Sequence, residues 1–81
     1  MKISYYKDTD TMYIDFEKGV RSKTKDIAPG ILGEFDNDGN LVGIEIDTAC
    51  NYIDLSNLKT EDFPIGSIVN IGKTPALAGA E

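Results

Sequence analysis

"GEFDNDGNLVGIEI", residues 33–46, admits two foldings, and the choice between them decides the architecture of the chain. Glu34, Asp36, Asp38, Gly39, Asn40 and Glu45 fall at positions 1, 3, 5, 6, 7 and 12 of a calcium loop, lacking only the shorter first aspartate. Such a loop is entered from a helix, yet the preceding residues include "APG" (28–30), whose proline and glycine break one. A hairpin uses more of the stretch. Asp38-Gly39 is a preferred pair for a two-residue type I′ turn, which needs positive φ at both central positions. Pairing outward, Asn37 faces Asn40, Phe35 faces Val42, Gly33 faces Ile44 and Ile31 faces Ile46, so the apolar residues share one face. The other face carries Leu32, Glu34, Leu41, Gly43 and Glu45. Gly43 lies opposite Glu34, where a missing side chain admits a bulky neighbour.

A second hairpin precedes it. "KISYYK" (2–7) and "MYIDF" (12–16) alternate apolar and polar residues at period two, and "DTDT" between them consists of turn formers. With Lys7 opposite Met12, Tyr5 faces Ile14 and Ile3 faces Phe16, which gathers Ile3, Tyr5, Met12, Ile14 and Phe16 on one side. Ser4, Tyr6, Tyr13 and Asp15 take the other, more polar side, where the two rings suit an interface.

"EKGVRSKTKDIAPG" (17–30) has no helical period and reads as a loop with a short edge strand near residues 25–27. Its bases Lys18, Arg21, Lys23 and Lys25 have no interleaved aromatic platform, so a solvated loop is expected in place of a nucleic-acid contact. After Ile46, Asp47 or Thr48 can cap a short helix that turns Ala49, Tyr52, Ile53 and Leu55 toward the sheet, and Ser56 can cap a second one before Pro64. "SIVNI" (67–71) has strand character, suited to a final strand or to exchange with a neighbouring chain, and residues 72–81 read as a flexible tail. The expectation is one α+β domain over residues 1–71. It contains an antiparallel sheet of four to five strands, built from hairpins at about 2–16 and 31–46, with one or two short C-terminal helices.

Eighty-one residues, 41% hydrophobic and 27% charged, suit one thin-cored globular domain, for which dimerisation or a bound partner is the usual remedy. The single cysteine, Cys50, excludes an internal disulfide, and the absence of histidine removes imidazole from acid/base or zinc chemistry within one chain. Cys50 then reads as a small buried apolar group near a helix start. No basic, apolar leader opens the sequence and no apolar run is long enough to span a bilayer, so a cytoplasmic location without membrane association is expected. Residues 1–25 hold six bases and four acids, and residues 26–81 hold two bases and ten acids, giving +2 and −8 within the total of −6. That field disfavours nucleic acid and favours a basic protein or a cation.

Two blocks carry a family resemblance. "ISYYKDTDTMYIDF" resembles the "Y-D-x-x-x-D-x-L-Y-I" opening, and "DNDGNLVGIEIDTA" the "D-x-D-G-x-x-V-G-I-E-I-L-x-A-S" core, of the small prokaryotic 2283 family of domains of unknown function. The resemblance covers roughly residues 3–55. It departs at Met12, Asp47 and Cys50, where leucine, leucine and serine are common. It implies a compact antiparallel sheet with a short helix and no assigned enzyme activity, and some members resemble the antitoxin-side partners of small toxin-like proteins.

The leading functional expectation is a non-enzymatic interaction module without a cofactor. It would be a homodimer that binds and blocks a basic partner such as a toxin-like nuclease, with interface candidates Tyr6, Tyr13, Leu32, Leu41, Gly43 and Glu45. The alternative is a divalent-cation binder or small enzyme. Its carboxylates would be Asp15, Glu34, Asp36, Asp38 and Glu45, and its metal set Glu34, Asp36, Asp38, Asn40 and Glu45.

Overall fold

The computed structural model describes residues 1–72. Five strands, β1 (Lys2–Tyr6), β2 (Thr11–Asp15), β3 (Lys23–Ala28), β4 (Ile31–Phe35) and β5 (Leu41–Ile46), form one antiparallel sheet in the order β1-β2-β5-β4-β3. The order is that of a Greek key. β3, β4 and β5 are a hairpin-connected meander, and β2, joined to β3 by residues 16–22, lies beside β5. The edge strand expected near residues 25–27 is a full strand, with an irregularity between Asp26 and Ala28.

The first hairpin keeps its predicted faces but slides along its partner. Ile3 pairs with Ile14 and Tyr5 with Met12, while Lys7 lies in the turn and Phe16 beyond the strand. The cause sits at Asp10, which takes a left-handed conformation (φ 53°). Its carboxylate accepts the Tyr5 hydroxyl at 2.7 Å and the Cys50 amide at 3.2 Å, so the turn closes there and Thr11 opens β2. A two-residue change of pairing leaves every side chain on its original side.

The second hairpin pairs Ile31 with Ile46 and Gly33 with Ile44 as expected, and then departs. A bulge follows Glu34, so Phe35 faces Leu41 and Val42 is the inserted residue. The turn is not the two-residue type I′ form, because Gly39 (φ 85°) has positive φ and Asp38 does not. The chain instead reverses over three residues, with the Gly39 amide donating to the Asp36 carbonyl at 3.2 Å and the Asp36 amide to the Asn40 carbonyl at 2.9 Å. Asp36 selects this turn. Its carboxylate accepts the backbone amides of Asp38 (2.9 Å) and Asn40 (2.8 Å) and the Asn40 side-chain amide (3.1 Å), which a type I′ loop starting at Asn37 would not supply.

The α part of the α+β expectation is not found. Ala49–Asn51 makes a single 3-10 turn, and no α-helix or further strand occurs among the described residues. Thr48 leaves β5 in a left-handed conformation (φ 50°) without a side-chain cap, and the Asp54 carboxylate then takes the Ser56 amide (3.0 Å) and the Asn57 side chain (3.2 Å). These local bonds compete with helical ones over a run of residues too short to repay nucleation. The helix expected from Ser56 and the strand expected at residues 67–71 are likewise absent; the tail assigned to residues 72–81 lies outside the described residues after Gly72.

The core is thin, as the size required. Met12, Ile46 and Ala49 are buried together, with Ile14, Ile31, Ile44 and Ile53 packed against them, and Val42 is buried outside this cluster. Ala49 and Ile53 therefore meet the sheet as expected, whereas Tyr52 and Leu55 stay largely exposed. The short turn is held down by polar links, the Ala49 amide to the Asp10 carbonyl (2.8 Å) and the Tyr52 hydroxyl to the Pro29 carbonyl (2.7 Å).

Candidate functional site

The face away from this core carries the charge. Along it, Ser4, Tyr13, Glu45, Leu32 and Asp26 lie in one row across the strands, and Lys2, Asp15, Gly43, Glu34 and Thr24 in the next. Tyr13 leans across the rows, so that its hydroxyl sits over Gly43, where a Cβ would come within 3.1 Å of it. Glycine at 43 makes room for the ring. The bulky neighbour inferred from sequence is therefore Tyr13 of the same chain.

Glu34 is 5% exposed, a position an unpaired carboxylate would not hold at neutral pH. Its cation comes from the connection between β2 and β3, where Arg21 places Nη1 3.1 Å from Glu34 Oε1. The same guanidinium lies 5.2 Å from the centre of the Tyr13 ring, a stacking that a planar fork makes better than an ammonium. Glu34 in turn makes the guanidinium harder to deprotonate. Sequence reasoning assigned Arg21 to a solvated basic loop. Its one signal was identity, since it is the chain's single arginine among eight bases.

The rest of the face is under-compensated. The Tyr13 hydroxyl is buried without a hydrogen-bond partner, and burial, followed by the charge of Glu34, pushes its pKa up. Glu45 is partly buried, and its carboxyl is raised by burial first and then by Asp47 and Glu34. No salt bridge reaches Glu45 or Asp47 among the described residues.

Of the interface candidates, Tyr13, Leu32, Gly43 and Glu45 are brought together here, and Tyr6 is an exposed residue at the end of β1. Leu41 is not with them, because the bulge at Val42 puts it in register with Phe35. The five alternative metal ligands are dispersed. Glu34 is committed to Arg21, Asp36 to the backbone of its own turn, and Asp38 and Asn40 lie at the exposed hairpin tip. Among the described residues no three acids, cysteines or histidines are grouped to hold an ion. The basic run is also divided: Arg21 lies on the acidic face, while Lys25 places Nζ 5.6 Å from the Phe35 ring on the other.

Cys50 is exposed, not buried as its apolar character suggested. The Asp10 carboxylate beside it pushes the thiol pKa up, and Asp10 itself is held below the usual range by that contact and by Tyr5. Such a thiol carries less thiolate at neutral pH than a free one.

No helix among the described residues is long and apolar enough to cross a membrane. No curated protein and no solved structure matches the chain. The family described as "Protein of unknown function (DUF2283)" matches residues 2–49, a span that contains all five strands together with Tyr13, Arg21, Glu34, Gly43 and Glu45, and the chain belongs to that family.

Proposed function

We propose that this chain is a non-enzymatic protein-interaction module that receives a basic partner on the face formed by Tyr13, Leu32, Glu34 and Glu45. The observation that carries the reading is the state of Glu45. It is partly buried, crowded by Asp47 and Glu34, and lifted toward its protonated form. A lysine or arginine presented by a partner supplies the charge this position lacks, and Tyr13 and Leu32 supply apolar contact beside it. The net charge of −6 steers a basic protein toward the face at a distance. The finer form of the reading is an antitoxin-like inhibitor that masks the basic active surface of a small nuclease.

The test is capture of partners from the native host with the full chain, followed by calorimetry on the purified pair. A stoichiometric basic partner should bind wild type with an affinity that falls as salt rises, and Glu45→Lys should weaken it at least tenfold. Equal binding by Glu45→Lys and wild type would remove this face from the interface. Failure to recover any stoichiometric partner would leave the inhibitory form without support.

A further inference from the structure

The sheet has two outer strands, and they are not alike. β3 carries Lys23 and Lys25 and an irregularity between Asp26 and Ala28, the charges and distortion that keep another strand from adding. β1 has none of these beyond Lys2 at its first residue. It pairs regularly with β2 over all five residues and leaves Ile3 (47%) and Tyr5 (46%) half-exposed beside the apolar face.

Residues 63–72, "FPIGSIVNIG", contain no charged residue in a chain that is 27% charged. Phe63, Ile65, Ile68, Val69 and Ile71 are all 47% exposed or more, and none belongs to a strand. β-branched residues at this density form strands when a ladder is offered. Residues 67–71 equal β1 in length, and their alternation puts Val69 and Ile71 on one side and Ile68 and Asn70 on the other.

We infer that residues 67–71 of one copy add as a sixth strand to the open edge of β1 in a second copy, reciprocally, forming a strand-exchanged homodimer. Ladder hydrogen bonds go to the free edge of β1, and Val69 and Ile71 extend the apolar row of Ile3 and Tyr5. The occupant is a second copy because both halves of the ladder, the open β1 edge and the exposed, unpaired residues 67–71, occur in every chain. Two chains of −6 repel, and this uncharged segment is a surface they can share at little electrostatic cost. Five arm side chains with Ile3 and Tyr5, counted twice at roughly 80 Å² each, remove on the order of 1,100 Å² from water, just above the roughly 1,000 Å² that a specific interface should clear. Reciprocal exchange closes the assembly about a two-fold axis, so no filament grows. The inference is independent of the acidic face, which remains open in such a dimer.

The experiment is sedimentation of the full chain across micromolar to millimolar concentrations, with amide exchange of residues 2–6. Wild type should form dimers of its 8.8-kDa chain, with the outward-facing β1 amides, those not bonded to β2, protected only in the dimer. Val69→Pro removes a ladder donor from the arm, and Ile3→Lys guards the edge. Both positions are exposed, so circular dichroism should stay native while each variant weakens dimerisation by about 100-fold. A chain that stays monomeric throughout, a dimer untouched by both variants, or protection of the outward-facing β1 amides in the monomer would each overturn the inference.

Discussion

The Tyr13 hydroxyl occupies the space that a side chain on Gly43 would need: a Cβ there would come within 3.1 Å of the hydroxyl and within 3.1 Å of the Ile14 carbonyl oxygen. The backbone oxygen cannot move away cheaply, so Gly43→Ala should destabilise the fold by about 1–3 kcal/mol, as overpacking does. Tyr13→Phe removes a buried hydroxyl that has no partner and should leave stability within about 1 kcal/mol of wild type, or raise it. In the Gly43→Ala background, Tyr13→Phe should recover only part of the loss. Urea unfolding of the four chains checks all three outcomes.

Glu45 gives stability a pH dependence of unusual sign for a carboxylate. Its folded pKa is raised, chiefly by burial, so the folded chain binds a proton more tightly than the unfolded one. The penalty is absent below the unfolded value, about 4.3, and is fully present once pH exceeds the folded pKa. Glu45→Gln should therefore raise Tm at pH 7 and lose that advantage as pH falls below about 4.3. Thermal melts of both chains across that range measure it, and the same substitution should weaken binding of a basic partner, separating stability from function.

Asp36 should behave in the opposite way. Hydrogen bonds from Asn40 and Asp38 hold its carboxyl below the usual range. Its contribution is present above the unfolded value, about 3.9, and is lost as pH falls through the lower folded pKa. Asp36→Ala should speed amide exchange at residues 38–40 at neutral pH. Gly39→Ala has open space but a φ of 85°, so it should cost about 1–2 kcal/mol through backbone strain alone.

Cys50 should alkylate slowly for an exposed thiol, because the neighbouring Asp10 carboxylate disfavours its thiolate. Asp10→Asn should accelerate reaction with iodoacetamide near pH 8, and the gain should shrink as rising pH ionises the wild-type thiol as well. Equal rates at pH 8 would show that Asp10 does not control the thiol.

Arg21 should be the position where a lysine is not equivalent. Arg21→Lys keeps the charge for Glu34 but gives up the planar stacking on Tyr13, so its urea midpoint should fall between those of wild type and Arg21→Ala. An exposed pair such as the amino terminus with Glu17 should contribute nothing measurable by comparison.

Period-two alternation determined which residues share a face, because a slip of one residue would send Ile14, Ile44 and Ile46 to the wrong side together. That is why Tyr13 was legible on the polar side of the first hairpin and Leu32, Gly43 and Glu45 on one side of the second. A slip of two residues keeps the faces and escapes the pattern, so the true pairing of Tyr5 with Met12 depended on Asp10 reaching Cys50, forty residues away. The helix signals at Asp47, Thr48 and Ser56 were local propensities, and side-chain bonds from Asp54 overrode them. The sequence by itself thus settled the four strands of the two hairpins and, outside the bulge at Val42, their two faces, since side-chain alternation is written residue by residue. Only the tertiary structure placed Arg21 on Glu34 and Tyr13 and set β2 beside β5. Those contacts join residues far apart in the chain, and no local pattern records the free energy that brings them together.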